Sequence, residues 1–446
     1  MASLPEYVTA SRPVPQDARS AWYKNTAQTY AGIMLWVVFW RYIVVKTPAF
    51  GGSLAAGAAV ALLGVLIAAL LCHFLTYLVP GMLGMKTGRP LYLVGTSTYG
   101  VHGGFIMPGF LMGCLQFGWL AVNACIACQL ICESFGVAMV EAGERAGKVD
   151  FADPIYWGMG VLYVLLAVGV GLKGIQYVAK VATFTPLIPL AILVFLLIKT
   201  ASGLGGADFQ ESLVDAHKAA VETANTAVDE AKTDDEKKTA TETATAATAS
   251  LEEALEQKAS PGEQEYLGGL FSLTKGSGLY VMLILSVYIV GFFATAGAAG
   301  ADFGMNNRGA ADVHLGGLVG IVGSTVFAGG VAILVVAGAY GSGMITDPAV
   351  VGELDPVALT PSIVGGEPIM GLTPANWMKF LLALACFAPA CFPAFIAANS
   401  FRTTMPNFGM VAVAIGTAFS IFLTVTGYAE NVIAVFTIVG ASFGPI

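Results

Sequence analysis

Ten runs of apolar residues, each about as long as a helix needs to cross a bilayer, constrain this chain more than any other feature. They fall near residues 27–46, 54–79, 105–137, 154–173, 179–199, 279–300, 314–341, 376–401, 408–428 and 431–446. Such runs are too long and too poor in charge to be the strands of a soluble core. Lipid offers no partner to a backbone N–H or C=O, so a crossing segment must satisfy its own, as a helix does. The expected fold class is an all-α polytopic membrane protein. Composition agrees: 56% of the 446 residues are hydrophobic and 11% charged, where a soluble domain carries roughly 25% charged residues. The opening "MASLPEYVTASRPVPQDARSAWYKNTAQ" is polar and has no signal-peptide core.

The net charge of −8 belongs to one insertion. Residues 208–265 hold 15 Asp or Glu and 5 Lys, while the rest of the chain has 14 acidic and 16 basic residues. Basic residues near span ends set orientation. With a cytoplasmic N-terminus, the inner segments contain Arg12, Arg19, Lys24, Lys86, Arg89, Lys173, Lys180, Arg308 and Arg402. The outer loop 342–375 then has Asp347, Glu353, Asp355 and Glu367 and no Lys or Arg. The expectation is N-in, which puts residues 201–275 outside. Within that segment Val214, Val221 and Val228 recur every seven residues, and Ala244, Ala247, Leu251 and Leu255 continue a helical stripe. Two Ala-faced helices can pair as a thin antiparallel hairpin; the alternative is a disordered Ala/Thr/Glu-rich loop.

The chain divides into an N-terminal cytoplasmic segment (1–26), spans 1–5 (27–200), the acidic insertion (201–275) and spans 6–10 (276–446). Two sets of five match an inverted-repeat transporter, which breaks the first helix of each half near the midplane. In span 6, Gly291, Gly297 and Gly300 suit such a break; span 1 offers Gly32.

Span 3 contains "GCLQFGWLAVNA", residues 113–124, where Gln116, Trp119 and Asn123 share one helical face. Helix packing and a ligand site are both open readings of that stripe. Cys125, Cys128 and Cys132 form another stripe, read as small packing residues because no His or carboxylate set accompanies them. His73 and His102 fall near the inner ends of spans 2 and 3 and read as satisfied interfacial histidines. Glu133 lies near the outer end of span 3. The chain shows no nucleophile–base constellation or phosphate loop, so neither an enzyme nor ATP-driven transport is expected. No metal, organic cofactor or nucleic-acid partner is expected.

Several stretches resemble the nucleobase–cation symporter family 1, the cytosine/purine, uracil, allantoin and hydantoin permeases, most closely bacterial cytosine permeases. They are "RPVPQDARSAW" (12–22), "GMKTGRPLYLVGTSTYGVHGG" (84–104), "LQFGW" (115–119) and "VGFFATAGAAGADFGMNNR" (290–308). The resemblance implies a leucine-transporter-type 5+5 inverted repeat, with about ten transmembrane helices here where the family normally has twelve. The final "GASFGPI" falls partway through span 10. It further implies a planar base held between Trp119 and Phe293, with Gln116 reading the ring edge and Thr295 supplying a hydroxyl. Asn123 and Gly297 are secondary candidates. Asp302, in the family's "ADF", is expected to anchor a loop by pairing with Arg308.

Span 8 departs from the family pattern, because the positions expected to be polar fall on Ala388–Phe392. That leaves H⁺ and Na⁺ both open as coupling ion. The expected function is import of a nucleobase-like small molecule through the cytoplasmic (inner) membrane by alternating access. The alternatives are transport of another small planar solute, or a non-transporting receptor that presents the 208–265 hairpin to an extracytoplasmic partner.

Overall fold

The computed structural model describes residues 4–9, 11–25, 36–37, 50–140, 147–205, 208–266, 271–298, 300–405 and 407–431. Spans 1 and 10 of the sequence reading lie almost wholly outside these residues. Helices of eight residues or more are α1 (Ala58–Thr87), α2 (Thr96–Phe135), α3 (Pro154–Leu172), α4 (Ile175–Phe184), α5 (Leu187–Thr200), α6 (Phe209–Glu230) and α7 (Asp234–Ala259). After a two-stranded antiparallel ribbon, β1 (Glu263–Tyr266) and β2 (Phe271–Thr274), follow α8 (Gly278–Ala298), α9 (Ala310–Gly341) and α10 (Pro356–Ile363). The last are α11 (Pro374–Ala385), α12 (Phe387–Thr404) and α13 (Gly409–Val425). Among the described residues six helical stretches are long and apolar enough to cross a membrane, and Gly278–Phe293 and Gly409–Val425 are shorter apolar helices.

The helices sort into two packed groups. One joins α1 to α8 and α9, with α5 behind; the other joins α2 and α3 to α12 and α13. Small residues permit the close approach, since lipid supplies no hydrophobic drive between helices and backbone proximity must supply the contact. A Cβ on Gly84 would lie 2.1 Å from the Ala301 carbonyl oxygen, and one on Gly304 2.0 Å from that of Gly81. Only glycine fits at these two crossings of α1 with the Gly300–Gly304 turn. In the second group Phe117 stacks on Phe401, 6.0 Å between centroids and 13° between planes. Ser420 there donates to the Phe117 carbonyl at 2.7 Å, satisfying a hydroxyl buried between α13 and α2.

Among the described residues, π-turns interrupt α1 at Cys72–Tyr77, α2 at Phe105–Leu111 and α9 at Leu318–Gly323. The sequence suggested a break in span 6 at Gly291, Gly297 or Gly300. The backbone is helical through Gly291 and Gly297 to Ala298, residue 299 lies outside the described residues, and Gly300–Gly304 is a short helix. Gly is only a weak breaker when neighbouring helices hold it in place.

Residues 209–259 form two helices packed along each other. Thr233 and Glu236 make reciprocal bonds at the turn, a capping box that satisfies the first amides of α7. Ala224, Ala244 and Ala247 fill the seam between Val221 and Val228. The base of the pair is docked on the membrane body. Phe209 packs edge-on against Tyr340 at the end of α9, and Gln210 Nε2 donates to the Ala55 carbonyl at 3.0 Å.

At the opposite end, the N-terminal segment is stitched across α1 and α9. Arg19 Nη1 donates to the Met85 carbonyl at 2.6 Å, and the Trp22 N–H to Asp312 Oδ1 at 3.2 Å. Asn25 Nδ2 donates to the Phe303 carbonyl and to Asn307 Oδ1, both at 2.8 Å.

Candidate substrate site

Helix α2 is buried around most of its circumference from Leu115 to Leu130, so polar side chains on it point into protein rather than lipid. Gln116, Trp119 and Asn123 are 4%, 5% and 6% exposed. The Asn123 amide donates to the Trp119 carbonyl one turn back, at 2.7 Å. That bond spends its donor within its own helix, which suits packing. Among the described residues Gln116 Nε2 reaches only the Met112 sulfur, at 3.4 Å. A thioether is a weak acceptor, so this amide is held loosely in this state.

Opposite stands α8, where Phe293 is 1% exposed. The ring that meets Trp119 is its neighbour Phe292, at 5.6 Å and perpendicular. Phe292 in turn meets Phe293 edge-on at 4.9 Å. The three rings form a continuous bridge between the two packing groups, with Phe293 one ring removed from Trp119. Thr295 and Gly297 lie on the helical backbone of α8; the side chains of residues 294–298 are outside the described ones.

A second polar cluster lies one turn earlier on α2 and was not anticipated. A small cavity is lined by Tyr92, Pro108, Met112, Asp302, Asn399 and Ser400, among others. Met112 links it to Gln116. Asp302 sits past the end of α8, outside the apolar stretches long enough to span. Burial pushes its carboxyl up to about 7, against the Leu91 N–H that favours the charged form. Arg308, expected to pair with Asp302, pairs with Asp312 instead: Nε to Oδ2 at 3.1 Å and Nη2 to Oδ1 at 3.3 Å. The i,i+4 spacing of Arg308 and Asp312 on a helix start was the sequence signal for it.

Span 8 keeps its polar residues further along than the family pattern suggested. Ala388, Ala390 and Cys391 are buried packing residues, and Asn399 and Ser400 carry the polarity two turns later. Ser400 donates to the Gly109 carbonyl at 2.6 Å, within the π-turn of α2.

Glu133 pairs with Lys379 of α11 at 2.9 Å. Cys125 accepts from Gln129 Nε2 and from the Tyr156 hydroxyl, at 3.3 and 3.4 Å, tying α2 to α3. His73 differs from its sequence reading on both counts. It is central in α1 rather than near the end, it is fully buried, and neither ring nitrogen has a hydrogen-bond partner among the described residues.

No family model and no curated protein matches this sequence. Solved structures do. Mhp1, a nucleobase-cation-symport-1 family transporter, in a closed conformation with bromovinylhydantoin bound, superposes with a TM-score of 0.51 at 14% identity, covering 94% of this chain and 78% of that one. Inward-facing Mhp1 gives 0.53 at 12% identity, covering 98% and 80%. The chain has the Mhp1 fold. It is a polytopic membrane protein of the leucine-transporter type, the architecture that the family resemblance implied. The structures it resembles are transporters, not enzymes.

Proposed function

We propose that this chain is a secondary transporter that imports a small planar heterocycle of the nucleobase or hydantoin class by alternating access, coupled to a cation. The observation that carries this reading is the Trp119–Phe292–Phe293 bridge between the two packing groups, with the weakly engaged Gln116 amide beside it. Aromatic faces suit a flat heteroaromatic ring, and an amide can donate and accept along its edge. Bromovinylhydantoin, bound by Mhp1, is a ligand of that class. On this reading a substrate enters where Phe292 now touches Trp119, and Phe292 turns aside. Thr295 and Gly297 of α8 are the further ligand candidates of this reading, and Asn123 stays a packing residue.

The same reading places the protein in the cytoplasmic membrane with its N-terminus inside, from the basic residues of the inner segments. Residues 27–200 and 276–446 form the two inverted repeats, and the insertion 201–275 projects outside. The test is flux of radiolabelled cytosine, uracil, adenine, allantoin and benzylhydantoin into proteoliposomes. Saturable uptake of one solute, lost in Trp119→Ala and Gln116→Ala, supports the reading. Absence of uptake across the panel, in protein shown to be folded, overturns it.

A further inference from the structure

The buried histidine of α1 has no role in the site above, and its surroundings are unusual. The His73 ring lies against the backbone of α9: a Cβ on Gly317 would sit 2.3 Å from its Nδ1. His314, one turn earlier on α9, approaches to 6.1 Å between ring centroids. His314 is exposed and close to the start of α9, six residues from Arg308. Both helices widen here, because the Cys72–Tyr77 π-turn of α1 packs on the Leu318–Gly323 π-turn of α9. π-turns are rare and frequently mark functional sites. An ionisable side chain enclosed within a membrane bundle is itself a functional-site indication.

We propose that His73 and His314 form a proton-binding site between α1 and α9, and that the proton held there is the coupling ion. This rests on the transporter reading above. A charged imidazolium at position 73 would carry two N–H donors with no acceptor in reach among the described residues. The observed packing therefore accommodates the neutral ring, and protonation requires α1 and α9 to shift against each other. A proton from water adds to the lone pair of an imidazole nitrogen, first at exposed His314 and then at His73, and later returns to water. No other bond is made or broken. Because the two charge states favour two packings, proton binding biases the conformational equilibrium by its differential affinity.

The titratable groups on the packed elements are Cys72 and Tyr77 on α1, Tyr280 and Tyr288 on α8, and His314 and Asp312 on α9. Asp302 follows Gly300, which packs on Tyr77. Asp312 is held by Arg308. Thiols and phenols ordinarily ionise well above the histidine range. Asp302 titrates in a similar range to histidine, so the test must read histidine alone.

The chain has four histidines, at 73, 102, 217 and 314. The full chain, labelled with ¹⁵N-histidine and held in nanodiscs, is titrated from pH 5 to 8, with His73→Gln and His314→Gln assigning the signals. The expected result is a His73 signal that titrates in this window and whose midpoint moves by at least half a pH unit in His314→Gln. In proteoliposomes, accumulation of the transported panel solute driven by an imposed pH gradient should fall at least tenfold in both variants, with equilibrium binding changed less than twofold. A His73 that stays neutral throughout, or undiminished proton-driven accumulation in the folded exposed-site variant His314→Gln, overturns the proposal. If wild-type protein accumulates nothing, the transporter reading and the coupling role fail, while the titration still decides whether the proton site exists.

Discussion

Trp119 and Phe292 meet edge to face across the two packing groups, 5.6 Å between centroids and 90° between planes. The contact fixes which face of α2 looks at α8. It separates residues of the stripe that the sequence left equivalent, because Asn123 bonds its own helix while Gln116, among the described residues, bonds a thioether. Trp119→Ala and Gln116→Ala should each weaken binding of the transported solute at least tenfold, or about 1.4 kcal/mol. Asn123→Ala should leave the dissociation constant within twofold and lower the melting temperature. Equilibrium binding on detergent-purified protein separates the three, and unchanged affinity in Trp119→Ala would remove the aromatic bridge from the site.

Glu133 and Lys379 are side chains 19% and 15% exposed, joined at 2.9 Å between α2 and α11. Removing one partner strands the other in a poorly solvated position, which costs about 3 kcal/mol. Lys379→Met alone should therefore melt well below wild type. The double variant Glu133→Gln/Lys379→Met should recover most of that loss. Equal melting of the single and double variants would mean that solvent, not the partner, stabilises Glu133.

His217 is 5% exposed in α6, with Nδ1 3.3 Å from the Ser250 hydroxyl of α7. Burial holds its pKa below the usual histidine value. The folded pair of helices thus binds fewer protons than the unfolded segment as pH falls through about 6.5, and its stability declines there. Amide protection factors across residues 209–259 should be highest above pH 7 and fall toward pH 5. His217→Gln keeps a polar partner for Ser250 without the charge change, and should flatten that dependence.

The Gly84–Ala301 and Gly304–Gly81 crossings leave no space for a methyl group, since the obstacles at 2.1 and 2.0 Å are backbone carbonyls. Gly84→Ala or Gly304→Ala must push α1 away from the turn after α8, at a cost of about 1–3 kcal/mol. Melting temperature and monodispersity in detergent report it. Gly309→Ala, where an added Cβ meets nothing within 4 Å, is the matched control.

The membrane class was written in the apolar runs, because a bilayer demands about 20 apolar residues per helical crossing whatever the tertiary fold. The stripe of Gln116, Trp119 and Asn123 followed from helical periodicity alone. The heptad-spaced valines and alanines of 208–265 named the seam between α6 and α7, though not its docking on Tyr340 through Phe209. That docking depends on a residue more than a hundred positions away, which no local pattern encodes.

What only the tertiary structure decided were the pairings between distant segments. Sequence placed Arg308 near both Asp302 and Asp312, and three-dimensional burial gave it to Asp312 while enclosing Asp302 beside Ser400 and Asn399. It made Phe292, not Phe293, the ring against Trp119, since adjacent residues on a helix point about 100° apart and the approach of α2 selects one of them. It also left His73 without a hydrogen-bond partner among the described residues, because Gly317 lets the backbone of α9 close over it. Periodicity fixes which residues share a face; which faces meet is set by how the helices pack.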